Sequence, residues 1–327
     1  MKICIIGSGS VGSVIGAKLI AFGEEVTLIA RGSHLEAIQQ QGLCLRLVET
    51  GSEGYYHPTL ATENWRKITP QDLIIVSTKA YSLPKILPDL SPLYQDHTAL
   101  VIVQNGLPWW YFYQHGGSYE GRILQSVDPD GILLTQVAME RVIACVAYIA
   151  AEQLAPGLIQ HGQNFRFILG ELDGSSTGRL QILSDLFQKA GLNPVMTPDI
   201  RQEIWTKLWA NVPINPISAL TGATQAAIIE DSLTYAVVQS IMQETQQVAE
   251  SLGIQFPVSI EERLKRIQSV GFHRTSMLQD LNRHRPMEIE AIIGAVVELA
   301  NWFKIPVPHI QTLYATLTLL EKTLDHH

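Results

Sequence analysis

MKICIIGSGSVGSVIGAKLIAFGEEVTLIAR, residues 1–31, reads as a single βαβ unit. Ile3 to Ile6 is a short, wholly apolar run of the kind found in parallel strands buried on both faces. Gly7, Gly9 and Gly12 follow in G-x-G-x-x-G spacing, with Ser8, Ser10 and Val11 between them. A helical pattern then runs through Val14, Leu19 and Phe22, and Val26 to Ala30 is a second β-rich stretch. Each glycine has a reason to be there. Gly7 permits the tight turn, Gly9 lets backbone approach a pyrophosphate, and Gly12 lets helix pack on strand, with the helix N-terminus facing the anion. Gly16 extends that close packing by one turn. Because strand, helix and second strand all flank the glycines, the motif predicts a dinucleotide site at Gly7–Gly12 rather than an ordinary turn.

The end of the second strand selects the dinucleotide. NAD sites place an acidic residue there, on the ribose 2′-hydroxyl. Here Ala30 leads into Arg31, with Ser33 and His34 behind, while Glu24 and Glu25 lie at the strand's opposite end. An arginine offers a charge-assisted partner to a 2′-phosphate, so NADP is expected.

Composition sets the outer bounds. A chain of 327 residues suggests two domains and is long enough to bury a substantial core. It is 46% hydrophobic and 17% charged, and a net charge of −8 without a Lys/Arg block argues against a nucleic-acid surface. Cys4, Cys44 and Cys145 lie in apolar stretches without C-x-x-C spacing, as expected of reduced core thiols. A strand beginning at residue 2 leaves no room for a signal peptide, and no apolar run reaches a membrane span. A cytoplasmic location is expected.

After Arg31, residues His34 to Gln41 read as a helix and Leu43 to Val48 as a strand. Leu60 to Thr62 is a further extended piece. Asp72 to Lys79 reads as a buried strand with Lys79 at its carboxyl end, the end that faces ligands in open α/β sheets. Tyr81 to Leu90 begins helically despite Pro84 and Pro88. Ala99 to Val103 is a strand that runs into Gln104-Asn105-Gly106, which is either a plain turn or a site for the Asn105 amide. Trp109 to Tyr113 is an aromatic block that could pack in a core, line a pocket or face a partner. Arg141 to Ala150 is strand-like, and Leu158 to His161 with Phe165 to Gly170 read as a β-hairpin. Leu180 to Ala190 is helical and Pro194 to Met196 extended. Alternating strands and helices predict a doubly wound α/β domain, residues 1–197. From Pro198 only helical patterns remain, so residues 198–327 are expected to form an all-α domain.

The helical part carries the second chemical signal. In Glu203-Ile-Trp-Thr-Lys207-Leu-Trp-Ala-Asn211-Val-Pro-Ile-Asn215-Pro216, Lys207, Asn211 and Asn215 recur every four residues on one side of a helix. Pro213 and Pro216 are expected to kink or break it. Asparagine is a mediocre helix former, so two of them aligned with a lysine suggest function over a solvated stripe.

At this point the chain resembles the ketopantoate reductases (2-dehydropantoate 2-reductases). The resemblance rests on Gly7-Ser-Gly-Ser-Val-Gly12, Ala30-Arg31-Gly32, Thr78-Lys79-Ala80 and Gln104-Asn105-Gly106-Leu107. It continues through Trp205-Thr-Lys207-Leu, Asn211 to Pro216, Thr275-Ser276-Met-Leu-Gln-Asp280 and Arg285-Pro-Met-Glu288-Ile-Glu290. It implies a Rossmann domain followed by a helical domain like that of 6-phosphogluconate dehydrogenase. It also implies NADPH-dependent reduction of ketopantoate to pantoate, a step of pantothenate and coenzyme A synthesis. Lys207 would be the general acid, and Glu288 would bind the substrate hydroxyl beside it. Asn211, Asn215 and Ser276 would hold the substrate, and Gly7–Gly12, Arg31, Lys79 and Asn105 would serve the cofactor. His273 stands where some members carry a substrate-contacting Asn, and the aromatic block lengthens a connection usually shorter in the family.

The residues suit this chemistry. Hydride delivery to a 2-keto carbon develops an alkoxide that needs a positioned proton donor, and a partly desolvated lysine beside a carboxylate fits. No metal-ligand spacing and no nucleophile elbow is present. The rival readings are another two-domain dehydrogenase, of 3-hydroxyacid or sugar-phosphate type, and a non-catalytic NADP sensor, which would need neither Lys207 nor Glu288. A small 2-keto acid is the expected partner, nucleic acid and membrane are not, and a homodimer is left open.

Overall fold

The computed structural model describes residues 1–268 and 274–324, so the expectation for His273 lies outside the described residues. The chain divides into two compact units. The first comprises Met1–Gln104, Phe112–Gly121 and Ile132–Ile200; the second comprises Asn105–Tyr111, Arg122–Gly131 and Arg201–His327. Two short segments from the middle of the chain thus belong with its C-terminal part.

The first unit opens on β1 (Lys2–Ile6), α1 (Ser10–Phe22) and β2 (Glu25–Ile29). Ile3, Cys4, Ile5 and Ile6 are at most 1% exposed, which is why this strand is apolar on both faces. Next come α2 (Gly32–Gln41), β3 (Leu43–Leu47), β4 (Glu53–Tyr56), β5 (Leu60–Thr62), β6 (Gln71–Val76) and β7 (Tyr94–Val103). The unit is completed by α3 (Ile132–Gln136), β8 (Val142–Tyr148), β9 (Ala151–Ala155), β10 (Leu158–His161), β11 (Arg166–Glu171), α4 (Gly178–Lys189) and β12 (Pro194–Met196).

Eight strands form the main sheet in the order β12-β11-β8-β7-β6-β1-β2-β5, parallel except where β11 runs against β8. Four more form a second sheet, β4-β3-β10-β9. Helix α1 packs on β1 and β2 of the first sheet and on β3, β4, β9 and β10 of the second. Its Val14 and Ile15 join Ile5, Leu28, Leu45 and Ile159 in one core. Close approach needs Gly16, where a Cβ would come within 2.7 Å of Leu28.

Three local expectations change. Leu158–His161 and the following strand do not form a hairpin. The first pairs with β9 and β3 in the small sheet, the second with β8 in the main one. The burial patterns explain this. β10 alternates, as a one-sided strand must, whereas β11 is buried almost continuously, as a central strand is. The hairpin partner of β10 is β9, across a turn at Pro156-Gly157 with Gly157 at φ +74°. The second change is that β6 stops at Val76, so Lys79 sits in the turn beyond it, ahead of the 3₁₀ turns Ala80–Lys85 and Leu87–Leu93 that replace the expected helix.

The second unit is built from α5 (Ile200–Thr221), α6 (Gln225–Glu230), α7 (Ser232–Glu250), α8 (Ile260–Gln268), α9 (Ser276–Asn282), α10 (Ala295–Phe303) and α11 (Pro308–Leu324). Thr224, Asp231 and Thr275 accept from first-turn N–H groups of α6, α7 and α9 and fix where those helices start. The third change lies in α5, which runs unbroken through Pro213 and Pro216 for 22 residues. Each proline removes one helical hydrogen bond at a cost of about 3 kcal/mol. Leu208, Trp209, Val212 and Ile214, none more than 2% exposed, bury enough surface to offset it. Glu290–Gly294, just ahead of α10, is a π-helical turn, a feature absent from the sequence pattern.

Candidate active site

In the first unit the glycine loop is closed by its neighbours. Gly7 has φ +98°, and a Cβ on it would stand 2.6 Å from the Thr78 methyl. A Cβ on Gly12 would overlap the Gly7 carbonyl and the Ser77 hydroxyl. That hydroxyl donates to Gly7 O at 2.8 Å, and the N–H groups of Gly7 and Ser8 donate to Ile29 O at 3.3 and 3.0 Å. Gly9 differs: a Cβ there would meet nothing within 4 Å. It is also the N-cap of α1, and without a side chain it leaves the first-turn N–H groups uncapped. The Ser8 and Thr78 hydroxyls, both beside this loop, are buried without a hydrogen-bond partner among the described residues. Open space at Gly9, an uncapped helix start and orphaned hydroxyls together fit a bound pyrophosphate. His34 braces the loop. Its Nδ1 accepts from Gly157 N–H at 2.9 Å, so its Nε2 carries the proton and donates to Ser8 O at 2.8 Å. Arg31, at the N-cap of α2, is exposed.

In the second unit the structure brings two predicted residues together. Lys207, half-buried on α5, donates from Nζ to Asn105 Oδ1 at 2.6 Å. Asn105 is therefore held by the helix that carries the candidate proton donor, in the unit that lacks the glycine loop. At about 100° per residue, Asn211 lies roughly 40° and Asn215 roughly 80° round α5 from Lys207. The three span a band rather than a line, with Asn215 5% exposed and Asn211 half-buried. Glu288, 6% exposed, lies two residues before the π turn, and Ser276 is half-buried in the first turn of α9.

The aromatic block from Trp109 is compatible, by sequence, with core, pocket wall or partner surface. Trp109, Trp110, Tyr111 and Phe112 are at most 2% exposed. Within the second unit, Tyr111 OH accepts from Trp205 Nε1 at 2.8 Å, and the Arg201 guanidinium donates from Nε to Tyr111 O at 2.8 Å. The same guanidinium lies 5.8 Å from the centres of the Trp110 and Tyr111 rings. Trp109, Trp110 and Tyr111 are core of the second unit, and Tyr111 ties the segment after Asn105 to α5. Ala291, whose carbonyl accepts from Leu107 N–H at 2.8 Å beside Gly106, carried no signal in the sequence, since it resembles any helical alanine.

A glycine-rich βα turn built to receive a dinucleotide, with a helical unit that presents a lysine held by an asparagine, defines a nicotinamide-dependent oxidoreductase. The comparisons with known proteins narrow this class. Residues 3–174 match the model of the family "Ketopantoate reductase PanE/ApbA", and residues 199–321 match its C-terminal counterpart. The chain belongs to the ketopantoate reductase family. It is 46% identical over 321 residues to a 2-dehydropantoate 2-reductase of Mesorhizobium japonicum, covering 98% of both chains. Among solved structures, the 2-dehydropantoate 2-reductase of Geobacter metallireducens superposes with a TM-score of 0.84 at 27% identity, over 98% of this chain and all of that one. A D-mandelate dehydrogenase in complex with NADH and anilino(oxo)acetate superposes with a TM-score of 0.83 at 25% identity, over 99% of this chain and all of that one.

Proposed function

We propose that this protein reduces 2-dehydropantoate to pantoate with NADPH, Lys207 supplying the proton. When bound, the cofactor supplies a hydride to the keto carbon. The chain's own residues do the rest. Gly7, Gly9 and Gly12 with Ser8, Ser10 and Val11 receive the pyrophosphate at the start of α1, and Arg31 pairs with the 2′-phosphate. Lys79, just beyond β6, is assigned to the cofactor. The Lys207 ammonium donates to the keto oxygen as it gains negative charge and is reprotonated from solvent afterwards. Asn105, through the 2.6 Å bond to Nζ, holds that ammonium in one orientation. Glu288 accepts from the substrate hydroxyl, and Asn211, Asn215 and Ser276 hold its carboxylate without adding charge.

The observation that carries this reading is the Lys207–Asn105 pair in a chain 46% identical over nearly its whole length to a 2-dehydropantoate 2-reductase. Cys4, Cys44 and Cys145 are buried thiols, which suits a reducing compartment, and a cytoplasmic location belongs to the same proposal. Among the described residues no helix is long and apolar enough to cross a membrane. Steady-state assays with NADPH and NADH test the reading, using 2-dehydropantoate, 2-ketoisovalerate and the keto acid of mandelate. 2-Dehydropantoate with NADPH should give the highest kcat/KM. 2-Ketoisovalerate, which lacks the hydroxyl, should fall well behind because buried polar groups are left unpaired. Equal turnover of the two aliphatic acids would remove the hydroxyl-reading role, and a preference for the aromatic acid with NADH would replace the assignment.

A further inference from the structure

We infer that the π-helical turn at Glu290–Gly294 is a positioning device for the Asn105–Lys207 pair, acting through Gly106. This rests on the reading of Lys207 as proton donor. In a regular helix the Ala295 N–H would bond to Ala291 O, four residues back. In this turn it bonds to Glu290 O instead, one residue further. Ala291 O is thereby released from its helical partner, and it accepts from the N–H of Leu107 at 2.8 Å.

Gly106 lies directly against the same peptide. Its φ is +79°, and a Cβ on it would overlap the Ala291 carbonyl. Both constraints require glycine: the left-handed backbone and the absence of a side chain. The adjacent residue is Asn105, whose Oδ1 meets Lys207 Nζ. Glu290 itself folds back over Gly294, where a Cβ would overlap its carboxylate, and accepts from Tyr314 OH at 2.9 Å. The turn is thus fixed from α11 on one side and grips residues 106–107 on the other. A plain α-helix would offer no carbonyl there, and the Asn-Gly pair would be an ordinary flexible turn.

The test is a double-mutant cycle between Gly106→Ala and Asn105→Ala, read as separate kcat and KM values. A displacement near 1 Å at residue 106 takes Oδ1 out of hydrogen-bond range of Nζ and is expected to lower kcat by about 10–100-fold. KM for NADPH should stay within about twofold, because the glycine loop is in the other unit. Asn105→Ala should lower kcat similarly, and the double variant should be no worse than the poorer single one, because both act through one contact. Should Gly106→Ala fail to fold, replacing Leu107 by its α-hydroxy acid removes only the N–H that Ala291 accepts, and kcat should still fall by about 3–10-fold with KM for NADPH unchanged. Wild-type kcat in Gly106→Ala or in the ester variant overturns the proposal, as does a double variant whose losses multiply. Lys207→Ala separates the two layers. If it keeps wild-type kcat, the proton-donor reading fails and takes the proposal with it. If it is inactive while Gly106→Ala is not, the positioning role fails alone.

Discussion

Gly9 and Gly12 lie three residues apart in one loop, yet alanine at each should fail differently. A Cβ on Gly12 overlaps the Gly7 carbonyl and the Ser77 hydroxyl, so Gly12→Ala must push the loop off β1. Overpacking of this kind costs about 1–3 kcal/mol of stability. At Gly9 the backbone is extended, with φ −74° and ψ −163°, and a Cβ meets nothing within 4 Å. Gly9→Ala should therefore leave the unliganded protein as stable as before, or more stable by about 0.4–1 kcal/mol through a less disordered unfolded chain. In the proposed function the cofactor fills the space at Gly9. A methyl group there holds the pyrophosphate off the start of α1, and a loss of 1.4–2.8 kcal/mol, or about 10–100-fold in Kd, is expected. Thermal unfolding with and without NADPH, beside a fluorescence titration, separates the cases. Wild-type protein at a hundredfold excess of NADPH over Kd gains about 2.7 kcal/mol. Gly9→Ala should start from an undiminished baseline and gain little, whereas Gly12→Ala should start low. Unaltered NADPH affinity in Gly9→Ala would refute the placement of the pyrophosphate.

Other outcomes follow from single residues. Arg31→Ala should weaken NADPH by about 10–100-fold and leave NADH nearly unchanged, measured as the two Kd values; equal losses would mean that Arg31 does not read the 2′-phosphate. Trp109→Ala should cost about 3–5 kcal/mol in denaturant unfolding, with the ranking of keto acids unchanged, because Trp109 is core; altered selectivity at full stability would make it a pocket wall. Burial pushes the His161 imidazole below its ordinary 6.5, against the opposing Gly162 carbonyl. The unfolded chain therefore binds that proton first, and the stabilisation is complete above pH 6.5 and lost as pH falls below it. Unfolding curves of wild type and His161→Gln should diverge below pH 6.5, wild type losing more; parallel curves would show that His161 does not contribute.

Much of this was legible from local chemistry. The glycine spacing, the apolar β1 and the loss of strands after Pro198 each follow from a rule that acts within a few residues, and among the described residues the structure keeps all three. What escaped depends on contacts distant in sequence. Leu158–His161 and Arg166–Glu171 look like a hairpin because they are adjacent, but they are divided between two sheets by what covers each face. The prolines of α5 should break it on propensity, and burial around Trp209 and Val212 overrides them. Asn105, at the end of a Rossmann strand, points by position to the cofactor side, and nothing local in the sequence shows its bond to Lys207, 102 residues later. The π turn leaves no periodic trace, since one carbonyl out of register changes no side-chain pattern.

The proposed reduction requires Lys207 as the proton donor. Single-turnover oxidation of NADPH by 2-dehydropantoate, in wild type and Lys207→Ala with cofactor and keto acid saturating, tests this most directly. The rate should fall by about 10²–10⁴-fold while NADPH affinity holds within about twofold. A Lys207→Ala protein that turns over within a few fold of wild type would contradict it.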